Sequence, residues 1–137
     1  MMDSSITKAL KTGWMLLAVS LPLGLTLEVL HGFKVRGYLA SEVRREMWRL
    51  AHAHGTLLGL MCLAFAALAE RHIASADARR KISRDLRFGA VLMPLGFFLG
   101  GILNYEGDPS LGIALVPLGG LLVISALVRA ASASTRN

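Results

Sequence analysis

Apolar residues along this chain fall into four runs, at about 13–30, 50–69, 88–104 and 111–128, with polar and charged residues gathered between them. A helix needs about 20 largely apolar residues to cross the roughly 30 Å hydrocarbon core of a bilayer, and each run is of that order. The pattern therefore predicts an all-α fold, an integral membrane four-helix bundle that forms one domain over residues 1–137. The first run follows Lys8 and Lys11 like a signal peptide. No small-residue cleavage site follows it, and Glu28 and His31 stand at its far end, so it reads as an uncleaved first span. Ser41 followed by Glu42 has the form of a helix N-cap with an acidic first turn, and nothing breaks helical periodicity from there to about Glu70. Trp48 then falls in the interfacial aromatic belt. The turn Tyr105-Glu106-Gly107-Asp108-Pro109 separates the third run from the fourth.

Charge sets an orientation. The connection from Arg71 to Arg87 is the most basic, with Arg71, Arg79, Arg80, Lys81, Arg84 and Arg87. Together with Lys8, Lys11, Arg129 and Arg136 these put ten basic residues on one side of the membrane, against five on the other at Lys34, Arg36, Arg44, Arg45 and Arg49. By the positive-inside rule both termini lie in the cytoplasm (N-in, C-in), the expected location being a bacterial inner membrane. His31, the loop up to Trp48 and the 105–109 turn then lie together outside, and His72 inside.

Composition agrees: 54% of residues are hydrophobic and 18% charged, and the mean hydropathy is +0.55. The net charge of +6 resides in the connections, where membrane orientation explains it without nucleic acid. Cys62 is the single cysteine, so no disulfide framework forms, and its place in an apolar run reads as a small buried hydrophobe. Leu21-Pro22-Leu23-Gly24, Met93-Pro94-Leu95-Gly96 and Val116-Pro117-Leu118-Gly119 echo one another. They are expected to act as independent kinks, each with a glycine that permits close packing.

Ionisable groups at membrane depth are costly and mark the candidate chemistry. Glu28 and His31 share a helix face, His52 and His54 open the second span, and Asn104, Glu106 and Asp108 come to the same level. Glu28, His31 and one helix-two histidine can in principle bind a single Zn, Cu or Fe ion; a di-iron centre would need the Glu-x-x-His motif twice. His52 and His54 point roughly 200° apart on a helix, so one must be chosen. His52 shares a face with Trp48, Gly55, Gly59 and Cys62, a stripe expected to pack closely on another helix. His54 shares its face with Leu50, Leu57, Leu58 and Met61. The competing reading is that one histidine bonds a backbone carbonyl between helices while the other reaches the headgroups.

The string His52-Ala53-His54-Gly55-Thr56-Leu57-Leu58-Gly59 resembles the His-Ala-His-x-x-Leu-Leu-Gly segment of small four-span bacterial membrane proteins related to haem-copper oxidase subunit I. The resemblance implies haem ligation by His54, with Gly55 leaving space for a macrocycle, His52 orienting its neighbour, and His31 or His52 as the opposite ligand. It also implies a haem- or metal-binding role in respiratory membrane chemistry, in a homodimer or larger complex. The oxidase's copper and Tyr-His apparatus is missing, so catalysis is not expected. The alternative is a non-catalytic accessory or structural subunit without a cofactor. On the first reading, losing His54 abolishes the cofactor and losing His72 does not.

Overall fold

A computed structural model describes residues 3–102, 104 and 107–134. Every regular element is helical: α1 (Ser4–Gly32), the short α2 (Arg36–Leu39), α3 (Glu42–His72), α4 (Ala76–Gly100), a single 3-10 turn (Leu111–Ala114) and α5 (Leu115–Ala133). The all-α expectation holds, and three of the helices (α1, α3, and α5 with its preceding turn) are long and apolar enough to cross a membrane.

The caps follow from sequence. The Asp3 carboxylate accepts the Ser5 N–H at 2.9 Å to start α1, and Ser41 accepts the Arg44 N–H at 3.1 Å to start α3, as its position before Glu42 implies. Ser75 does the same for α4 through the Ala78 N–H. Here the basic connection proves mostly helical. Only residues 73–75 interrupt the chain between α3 and α4, because Asp77 forms i,i+3 and i,i+4 pairs with Arg80 and Lys81 that support the first turns of α4. The helix expected over 88–104 therefore covers 76–100 instead. Its wholly apolar stretch, residues 88–100, is about 20 Å long at 1.5 Å per residue, and Arg84, Asp85 and Arg87 stand directly before it. Of the 105–109 turn, Tyr105 and Glu106 lie outside the described residues.

Consecutive long helices run antiparallel. Gly13 of α1 lies against Gly59 of α3, Ser20 against Gly55 and Gly24 against His52. Gly89 and Gly96 of α4 lie against Gly119 and Val116 of α5 in the same reversed order. α1 and α4 run parallel, joined by Asp3 to Arg79, Ser5 to Ser83 and Thr12 to Arg87. α4 touches each of the other three long helices. Its Ile82, Leu86 and Ala90 share one core with Ile6, Leu58, Cys62, Val123 and Ala126. The glycine of each Leu-Pro-Leu-Gly-like segment marks a close approach, Gly24 to His52, Gly96 to Val116 and Gly119 to Met93. Pro22 and Pro94 stand inside helices, whereas Pro117 falls in the first turn of α5, where a missing N–H is no loss.

This geometry gathers the N-terminus of α1, residues 71–87 and the C-terminal end of α5 at one end of the molecule. The His31 to Trp48 region and the α4–α5 connection gather at the other.

Candidate functional site

The α1–α3 contact builds the site. Where the two helices cross, small residues let the backbones approach so closely that a Cβ on Gly24 would stand 2.4 Å from Cε1 of His52. The His52 ring thus packs directly on the Gly24 backbone. Its Nδ1 is 2.7 Å from the Ser20 carbonyl. A carbonyl can only accept, so Nδ1 carries the proton and, in the neutral ring, Nε2 bears the lone pair. This is the between-helix carbonyl bond foreseen in the competing reading of the histidines.

Beyond His52 opens a cleft of about 270 Å³, lined by Leu21, Gly24, Leu25, Leu27, Glu28, His31, Tyr38, Arg49 and His52. Glu28, His31 and His52 therefore share one cavity. Arg49 and Tyr38 also line it, and neither was singled out from sequence. Arg49 was legible, standing one turn before His52 on the same face of α3. Tyr38 was not, because it reaches the cleft from the short α2, whose placement no periodicity sets. Among the described residues, no three His, Cys, Asp or Glu side chains group closely enough to hold a metal ion. The Arg49 guanidinium in the same cleft opposes a further cation there.

His54 does not join them. Its Nδ1 donates to the Leu50 carbonyl of its own helix at 2.8 Å, and its ring tilts over Phe97 of α4 with centroids 4.8 Å apart. The space left by Gly55 is taken as well: a Cβ there would lie 2.0 Å from Oγ of Ser20. At Gly55 the close approach of α1 thus serves helix packing. One turn from His52, the Thr56 hydroxyl is buried without a hydrogen-bond partner among the described residues. His72 lies at the opposite end, on the wall of an apolar groove between α3 and α5.

Other polar groups at the His52 end tie α2, α3 and the end of α4 together. Trp48 donates its indole N–H to the Phe98 carbonyl at 3.1 Å and stacks between Tyr38 and Phe98 at centroid distances of 6.2 and 5.5 Å. Arg44 lies over the Trp48 ring and donates to the Gly101 carbonyl at 3.1 Å and to Ile102. Asn104 donates to Ser41. Trp48 and Arg44 thus satisfy carbonyls at the negative end of α4.

A second polar centre, which sequence reading passed over, lies at the other end. Asp85 has a side chain only 5% exposed, accepting from Arg84 at 2.9 Å and facing Arg129 at 3.5 Å. The Ser125 hydroxyl donates to it at 3.1 Å. Its signal was faint because a single aspartate amid arginines reads as a counter-charge.

Comparison with family models, with curated proteins and with solved structures finds no match for this chain.

Proposed function

We propose that this protein is a non-catalytic four-span bundle of the bacterial inner membrane, with both termini inside, that serves as an accessory or structural subunit of a larger membrane complex. The observation that carries this reading is how the polar side chains in and beside the apolar helices are used. His52, Trp48 and Arg44 each donate to a backbone carbonyl of another segment, so they hold helices in register, as polar groups do between membrane helices. The outer faces support the membrane part of the reading: Met15, Val19, Leu25, Leu118, Leu121 and Val128 all stand exposed, far more apolar surface than a water-soluble monomer presents. α4 completes a fourth crossing if Arg84 and Arg87 extend from its short apolar stretch to the headgroups.

Purification in mild detergent tests it. The protein is expected to run in a particle larger than one chain, to show no haem absorption and to carry less than stoichiometric iron, copper or zinc.

A second reading is favoured by one observation, the sharing of a cleft by Glu28, His31 and His52. It makes them a single transition-metal site if the three side chains, which do not group as a metal centre in this structure, close around an ion, with Nε2 of His52 as the principal ligand and the Ser20 carbonyl fixing its tautomer. On that reading metal is stoichiometric, His52→Ala removes it and His54→Ala leaves it, the reverse of what the family resemblance implies.

A further inference from the structure

At the end opposite the His52 cleft, a cavity of about 430 Å³ lies between the start of α1 and the first turns of α4, bounded by Lys8, Arg80, Arg84 and Arg87 with Asp3 and Asp77. Most of these charges are already matched. Asp3 holds Arg79, Asp77 holds Arg80 and Lys81, and Arg84 holds Asp85. Lys8 and Arg87 have no carboxylate within ion-pair distance among the described residues. Arg87 instead donates its Nε–H to the Thr12 hydroxyl at 3.1 Å, which fixes the guanidinium between α1 and α4.

Directly beyond Thr12 an apolar groove of about 500 Å³ continues along the same pair of helices, walled by Met15, Val19 and Leu23 of α1 and Val91, Leu95 and Phe98 of α4. Thr12 is one helical turn from Lys8, and Val91 one turn from Arg87, so the groove begins about one turn from the basic cavity along the same helix pair. From Thr12 to Leu23 the groove is about 17 Å long at 1.5 Å per residue. One leaflet of a 30 Å hydrocarbon core is about 15 Å deep.

We propose that this face binds one anionic phospholipid, its phosphate on Lys8 and Arg87 and an acyl chain in the groove between α1 and α4. The two unmatched cations supply the complementary charge, and a groove of one-leaflet depth starting at the cations gives that charge a lipid's shape. Free phosphate would use the cations and leave the groove idle. The proposal rests on the membrane reading alone, not on the accessory role. Resistance of the full chain to extraction from cell membranes by alkaline carbonate checks that reading separately.

The test is native mass spectrometry of the full chain released from bilayers that mix phosphatidylglycerol with phosphatidylcholine in equal amounts. Retained lipid is expected to be mainly phosphatidylglycerol. A cation near the headgroups is worth about a fivefold change in partitioning, so Lys8→Gln with Arg87→Gln should lower retention about 25-fold. Lys34→Gln with Arg36→Gln, at the other end, should leave it unchanged. Val91→Trp, which fills the groove and keeps every charge, should also lower it. Equal retention of the two lipids, equal loss in the control pair, no effect of Val91→Trp, or displacement of the lipid by millimolar inorganic phosphate would each overturn the proposal.

Discussion

At the scale of single residues, the placement of His52 depends on a residue that carries no side chain. A glycine at position 24 lets the imidazole reach the Ser20 carbonyl; one carbon more would overlap the ring. Gly24→Ala is therefore expected to push the ring off that carbonyl and to cost about 1–3 kcal/mol as an overpacked contact. Gly120→Ala, where nothing lies within 4 Å of the added carbon, should stay within about 0.5 kcal/mol of the parent. Thermal unfolding in one detergent compares the two, and equal loss in both would show that the α1–α3 crossing is looser than described. Half of this arrangement was legible. The spacing of His52, Gly55, Gly59 and Cys62 announces a close-packing face, since three- and four-residue steps return to one side of a helix. Its partner was hidden, because Leu-Pro-Leu-Gly reads as a local kink and nothing local says which helix comes to lie on Gly24. The separate surroundings of the two histidines, His52 against α1 and His54 against Phe97 of α4, were hidden for the same reason. Ligand choice turns on which face meets α1, and α1 fills the very space that Gly55 leaves.

At the scale of elements, polar contacts fasten helix ends where apolar packing thins out. Asp85 of α4 meets Ser125 and Arg129 of α5. Because it is buried while both its arginine partners are half exposed or more, Asp85→Ala should cost about 1–3 kcal/mol, toward the lower end. Arg84→Ala should cost less, since that pair lies within one helix. Loss of the α4–α5 hairpin before the rest of the protein, followed by hydrogen exchange, would identify the contact as the fastener. Asp3 ties α1 to α4 at the same end. Its carboxyl is held below the ordinary value of 3.8, first by the Ser5 backbone N–H, then by the Ser5 hydroxyl and by Arg79. A carboxylate with a lowered folded value stabilises fully above its ordinary pKa, and that contribution disappears as pH falls through the lowered value. Asp3→Ala should therefore be about 1 kcal/mol less stable at pH 7, and the gap should close below about pH 4. A gap that stays constant to pH 3 would place the effect of Asp3 elsewhere than in its charge.

At the scale of the whole molecule, run lengths announced four long helices because bilayer thickness fixes how many apolar residues must be consecutive. The register of α4 was not legible, since charged residues at 77–87 look like a loop until Asp77 pairs along the helix with Arg80 and Lys81. Three antiparallel turns bring Lys8, residues 71–87 and Arg129 to one end, so the basic residues that the positive-inside rule counts as one group are in fact neighbours in space. The five others cluster toward the end that holds the His52 cleft. The same argument predicts an orientation. Translocating the richer end would carry nine described basic residues, Lys8, Lys11, Arg71, Arg79, Arg80, Lys81, Arg84, Arg87 and Arg129, across the bilayer, against five for the opposite choice. Residues 73–75 are thus expected inside and residues 107–109 outside. In a Cys62→Ala background, which removes the one native thiol, Asp108→Cys should react with a membrane-impermeant maleimide in intact cells. Ala74→Cys, in the exposed link between α3 and α4, should react only after the membrane is opened. The reverse labelling would turn the molecule over, placing the cleft of Glu28, His31, Arg49 and His52 on the cytoplasmic side and the cavity of Lys8 and Arg87 against the outer leaflet.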